Sequence, residues 1–255
     1  MAGISHGLNL LETKWLERSM SEARSSGTTA EGTQRGEIEV RVWDGWVRLW
    51  HWSIVLLIPF SYLTARAQKW DWHMYSGYAL LTLVSFRILW GLVGSEPARF
   101  ARFVRSPAAA IRHLARLRRE AGPDRELTHN PAGAFAALAL MGLLLAQAVT
   151  GLFAYDQIFT YGPLARMVSE DTRDLMTSLH IRIINVLLAV IALHILAIVW
   201  YRLFPGHDLV RAMMVGTKPM PAGTPAPRMA SPLLGLALFA ACAAVVLYIR
   251  SFGDY

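Results

Sequence analysis

The chain has 255 residues, 54% hydrophobic and 17% charged, with a mean hydropathy of +0.34, which is too apolar for an ordinary soluble domain and places it in a membrane. Its net charge of +7 would suit nucleic acid, but the basic residues fall between apolar runs instead of on one folded basic face, so membrane topology explains them and no nucleic acid is expected. A single cysteine, Cys242, excludes an intrachain disulfide, a four-cysteine iron–sulfur cluster and the Cys-x-x-Cys-His attachment of a c-type haem.

In chain order, residues 1–40 are polar, charge-balanced and rich in Ser, Gly and Thr at Ser25–Gly36, without the apolar core of a signal peptide. They read as a flexible cytoplasmic tail. Five apolar segments follow: Leu49–Ala65, Met74–Gly94, Ala132–Ala154, Ile181–Leu203 and Pro232–Ile249. A helix needs about 20 apolar residues to cross roughly 30 Å of hydrocarbon, and each run approaches or meets that length. The expected fold is all-α: an integral membrane four-helix bundle over residues 41–204, a Pro-rich cytoplasmic linker over 205–231, and a peripheral fifth transmembrane helix with a short C-terminus over 232–255.

Loop charges orient the spans. Ser95–Pro131 carries eight arginines, from Arg99 to Arg125, against four acids, so the positive-inside rule makes it cytoplasmic. The loop after the third span has the opposite balance, with Asp156, Glu170, Asp171 and Asp174 against Arg166 and Arg173, and belongs outside. Arg202, Arg211, Lys218 and Arg228 then face only Asp208 in the next linker, which is inside again. The N-terminus is expected in the cytoplasm.

Four of the eight histidines fall in or at the ends of spans: His51, His73, His180 and His194. A polar ring in hydrocarbon costs free energy unless it is hydrogen-bonded or ligated. On the fourth span the two rings are 194 − 180 = 14 residues apart, roughly 21 Å along the axis and within about 40° of the same direction. One therefore sits in each leaflet. His73 shares the outer level with His180, and His51 the cytoplasmic level with His194, which makes two cross-helix pairs, each suited to the two axial positions of a b-type haem iron. Packing histidines are the rival for any one ring, but four at two matching depths argue against coincidence. Zinc requires four ligands at one point, and these pairs lie too far apart.

Arg87 is 87 − 73 = 14 residues from His73, on the same face and at the His51/His194 depth, where a haem propionate would satisfy it. Arg48 and Arg182 are further propionate candidates, with snorkelling to headgroups as the alternative. Gly77, one turn from His73, and Gly91, one turn from Arg87, leave room either for a flat macrocycle or for close helix packing. Trp46, Trp50, Trp52, Trp70, Trp72, Trp90, Trp200 and Tyr201 read as an interfacial aromatic belt. No acid–base dyad, nucleophile triad or phosphate loop is visible.

The stretches Val42–Ser53 (VWDGWVRLWHWS), Asp71–Tyr78 (DWHMYSGY), Phe86–Gly94 (FRILWGLVG), His129–Gly133 (HNPAG), Thr150–Asp156 (TGLFAYD) and Ser178–Asn185 with His194 resemble the bacterial cytochrome b561 family, which includes the cytochrome b subunits of nickel–iron hydrogenases. The similarity covers approximately Val40–Lys218. In that family the first, second and fourth helices supply the haem ligands, which falls on His51, His73, His180 and His194. The resemblance implies two b haems with bis-histidine ligation in a bacterial inner-membrane electron carrier, with lipid around it and a homodimer compatible with it. It would connect a periplasmic redox protein, a hydrogenase or a c-type cytochrome, to the quinone pool of a respiratory chain. A free-standing oxidoreductase acting on superoxide or quinol and a haem-free scaffold or transporter are the competing readings. Nothing in the sequence marks a quinone pocket beyond apolar surface near a haem edge.

Overall fold

The computed structural model describes residues 36–104, 106, 108, 127, 131–203 and 209–254. The expectations for residues 1–35 and for most of the basic loop after the second span lie outside that set. Among the described residues there are seven α-helices: α1 (Gly45–Arg66), α2 (Trp70–Val93), the single turn α3 (Phe100–Phe103), α4 (Pro131–Phe153), α5 (Glu170–Arg202), α6 (Leu209–Val215) and α7 (Pro232–Ser251).

By length and composition, α2, α4, α5 and α7 can cross a membrane. Helix α1 is as long, at 22 residues, but Arg48, His51, Ser53 and Ser61 interrupt its apolar surface. Its start is fixed by Asp44, whose Oδ1 accepts the Val47 N–H at 2.8 Å, a helix N-cap, while Oδ2 accepts the Trp90 indole N–H at 2.9 Å from the end of α2. Its far end is a Schellman turn: Gln68 N–H donates to Ala65 O and Lys69 N–H to Thr64 O, with Gln68 at φ 55° in a place that favours glycine. This tight turn sets α1 and α2 side by side and antiparallel.

Helix α2 is the spine, packing against α1, α4 and α7, while α4 packs along α5. Val84, Phe86 and Trp90 are buried on it. In lipid there is little water to expel, so such contacts act through dispersion and fit. The fifth span packs along α2. Gly235, Cys242 and Val246 form a buried stripe on α7, small enough for close approach: the Trp46 ring lies over Gly235, and its Nε1 donates to Pro232 O at 3.1 Å.

Helix α5 begins eleven residues before its expected start, capped by Ser169 with Glu170 and Asp171 in the first turn. Carboxylates there complement the positive end of the helix dipole, so polar residues that read as loop are a helix start. The preceding segment is a built hairpin. Asp156 Oδ1 accepts the N–H groups of Ile158, Phe159 and Thr160 at 2.8–2.9 Å, and the Tyr155 and Tyr161 rings stack at 5.7 Å. Partial burial by itself would raise the Asp156 carboxyl, but the three amides outweigh it and hold the group below its ordinary value.

The stretch expected as linker is not bare chain: α6 lies within it. Gly36–Val40 and Pro219–Pro225 form a separate small unit, in which β1 (Glu37–Arg41) pairs with β2 (Thr217–Pro221). The last residues of the expected tail are thus a strand.

Candidate functional site

Two clusters of polar side chains occupy opposite ends of the bundle. At the Gln68 end, His73 near the start of α2 faces His180 on α5, with ring centroids 6.1 Å apart and planes at 80°. The His73 Nδ1–H donates to Ser61 O at 2.9 Å, with Ser61 Oγ at 3.2 Å. The carbonyl is held by α1 at the level the Schellman turn dictates. The His180 Nδ1–H donates to Gln147 O at 2.9 Å, with Thr150 Oγ1 at 3.3 Å. Thr150 itself donates to Ala146 O at 2.7 Å, so its oxygen is left to accept.

These bonds fix the tautomer. With Nδ1 protonated on both rings, each Nε2 keeps its lone pair, the state in which an imidazole ligates a metal. On His180 that lone pair receives the Gln147 amide N–H at 3.1 Å, while Gln147 Oε1 is buried without a partner. Gly151 lies against the His180 ring: a Cβ there would stand 2.9 Å from Cε1. Small size at residue 151 is a condition for His180 to adopt its position.

Toward the Asp44 end lie His51 on α1 and His194 on α5. Arg87, only 3% exposed, passes between the Trp50 and Phe100 rings at 5.7 and 5.5 Å, which puts it beside the residue that precedes His51. Arg48, one turn before His51, donates from Nη1 to Met214 O at 2.7 Å. Arg48 Nε, His51 Nδ1 and Arg87 Nη1 are buried without hydrogen-bond partners. Three bare donor-capable nitrogens are costly in an apolar setting, and an anionic acceptor would relieve them.

The structure thus brings His73 to His180, and sets Arg87 against Trp50, the neighbour of His51 in the chain. It treats the other candidates differently. Arg182 is exposed on α5, in keeping with the snorkelling alternative. The space above Gly77 is open, which leaves room beside His73. At Gly91 the Phe100 ring fills the space instead, so close packing is the reading that fits there. Ser61, Gln147, Thr150 and Gly151 were not singled out from the sequence. Thr150 and Gly151 open the TGLFAYD stretch, and Gln147 is a polar residue inside an apolar run, a signal of the same kind as the histidines.

The chain matches the family model described as prokaryotic cytochrome b561 over residues 42–216, and no curated protein matches it. The matched stretch contains α1 to α6, all four histidines and both arginines of the Asp44 end. With four helices of membrane length, the chain belongs to the prokaryotic cytochrome b561 family, multi-pass bacterial membrane proteins that bind haem b and transfer electrons.

Proposed function

We propose that the chain holds two b haems, one between His73 and His180 and one between His51 and His194, and passes electrons between a periplasmic redox protein and the quinone pool. The observation that carries this reading is the His73–His180 pair: 6.1 Å between centroids, each Nδ1 anchored on a backbone carbonyl. Two metal–nitrogen bonds of about 2 Å plus the inner halves of two imidazole rings span about 6 Å in all. At the other pair, the bare nitrogens of Arg48 and Arg87 suit the carboxylates of a porphyrin.

Haem b supplies a one-electron iron couple when bound. The chain's own groups do the rest. Ser61 O and Gln147 O orient the outer rings and raise the basicity of their Nε2 atoms. Arg87, closed off between two aromatic faces, holds positive charge where it favours the anionic form of the cofactor and disfavours extra positive charge on the metal. The four helices α1, α2, α4 and α5 exclude water. The charge balance of the loops puts the His73/His180 level outside and the N-terminus inside, so electrons from an external donor enter at that level and leave toward quinone.

Haem counting on the purified chain tests the reading: two b haems per chain are expected, with a reduced b-type α-band, and a count of one or none would overturn it. Reduction of the protein in inverted and right-side-out vesicles by a donor that cannot cross the membrane tests the direction.

A further inference from the structure

The two rings at the Gln68 end are not held alike. Gln147 on α4 takes both nitrogens of one of them: its backbone O accepts the His180 Nδ1–H at 2.9 Å, and its side-chain amide donates to His180 Nε2 at 3.1 Å. Among the described residues no hydrogen bond reaches His73 Nε2, since both bonds of that ring are made at Nδ1. One lone pair is open and the other is covered. The covering amide is loosely held, because Gln147 Oε1 is buried without a partner. The ring it covers is fixed: Thr150 Oγ1 stands 3.3 Å from Nδ1, and a Cβ on Gly151 would stand 2.9 Å from Cε1. Of the two groups, the long flexible side chain is the one free to leave.

We propose that Gln147 is a positioning residue that competes with iron for His180. In the empty site its amide satisfies a buried lone pair that would be costly to leave bare, and keeps the ring in the tautomer and direction that ligation needs. Iron is then taken by His73 first and by His180 second. In that second step an iron–Nε2 bond forms as the Gln147 N–H···Nε2 hydrogen bond breaks, and no electron or proton moves. The exchange also runs backwards, so the amide recaptures the ring whenever the iron bond opens. The competition rests on the function proposed above, a haem between these two rings; the capping hydrogen bond does not.

A competitor carries the opposite sign from a brace. Removal of a side chain that braced the site would loosen the cofactor. Removal of the Gln147 amide should tighten it, because the empty state alone loses a hydrogen bond, and one such bond corresponds to roughly two- to tenfold in an equilibrium constant. Thr150 is the contrasting case. Its oxygen stands behind Nδ1 and not at the lone pair, so it supports the ring in the empty and the loaded site alike.

The haem-loaded full chain is mixed with excess apo-globin, and the departure of each haem is followed as the decay of its own low-spin electron paramagnetic resonance signal. Gln147→Leu should slow loss of the His73/His180 haem roughly two- to tenfold and leave the other phase alone. Gln147→Asn, whose amide is one methylene too short to reach Nε2, should do the same, whereas Thr150→Val should quicken that phase. Unchanged or faster loss in Gln147→Leu overturns the proposal, and so does failure of both residue 147 variants to hold a haem at that pair. A second measurement needs no haem. In chain produced under haem depletion, nitrogen-15 spectra of labelled histidine should show an unprotonated His180 Nε2 whose resonance moves in Gln147→Leu, and an unmoved resonance overturns the capping. Fewer than two haems in the wild-type chain, with the resonance moving as expected, would sink the haem reading and the competition with it, and leave the capping bond standing.

Discussion

The two ends of the bundle solve the same problem in opposite ways. At the Gln68 end each histidine Nδ1 leans on a backbone carbonyl with a hydroxyl behind it, and His180 Nε2 receives the Gln147 amide. At the Asp44 end three nitrogens, on Arg48, His51 and Arg87, are buried bare. The ring orientation of the first site is finished by the chain; for a metal to sit between the rings, the Gln147 amide would have to leave the His180 Nε2 lone pair. The second is left electrically incomplete, and an anionic ligand would complete it. Ligand orientation governs the one and charge the other.

Substitutions can break this contrast or sharpen it. The largest effect is expected from His180→Ala, which removes a proposed ligand of the first site: haem content should fall by about one per chain while the other site keeps its spectrum, as read by haem extraction. Loss of both haems would show that the pairs are not independent, and loss of neither that the pairing is wrong. Next is Arg87→Leu. If charge completes the Asp44 end, haem there should be held roughly 10- to 100-fold more weakly, measured by transfer to an apo-globin, with the His73/His180 site unaffected. Smaller is Gly151→Ala, which presses a methyl on the His180 ring and should alter the axial-ligand geometry, seen as a shifted low-spin electron paramagnetic resonance signal of one haem only.

Two milder changes probe what positions the finished site. Gln68→Gly relieves a left-handed residue in the turn that sets α2 on α1, and should raise thermal stability by about 0.5–1 kcal/mol without changing the haem count. Acid should loosen the Asp156 hairpin. Because its carboxyl is held below the ordinary value in the folded chain, its contribution is present above the unfolded pKa and is lost as the pH falls through the folded one. Amide exchange of Ile158 to Thr160 on acidification should therefore quicken ahead of the α4 and α5 amides, and Asp156→Asn should remove that pH dependence.

The shared level of His73 and His180 and the burial of Arg87 could be read in the sequence because helical rise and rotation convert residue number directly into position. The helix α5 start could not be read by hydropathy, since Glu170 to Ser178 are polar; only the Ser169 cap announces it. Neither could the partners of the histidines. Ser61 O and Gln147 O are backbone atoms, which any residue carries, and they are aimed by a turn at Gln68 and by the α4–α5 contact, not by side-chain identity. The partner of α7 was not legible for a related reason: a stripe of Gly, Cys and Val says that something packs closely, but not which helix does so.

Helix α5 runs unbroken for 33 residues and bears both His180 and His194, so it works as a ruler. One residue inserted between them would turn the farther ring by about 100° and lift it by about 1.5 Å, pointing it out of its pair. Substitution along that stretch is a matter of degree, but its length is not negotiable. Related chains should vary freely in the loops that join the helices while keeping the same count between these two positions.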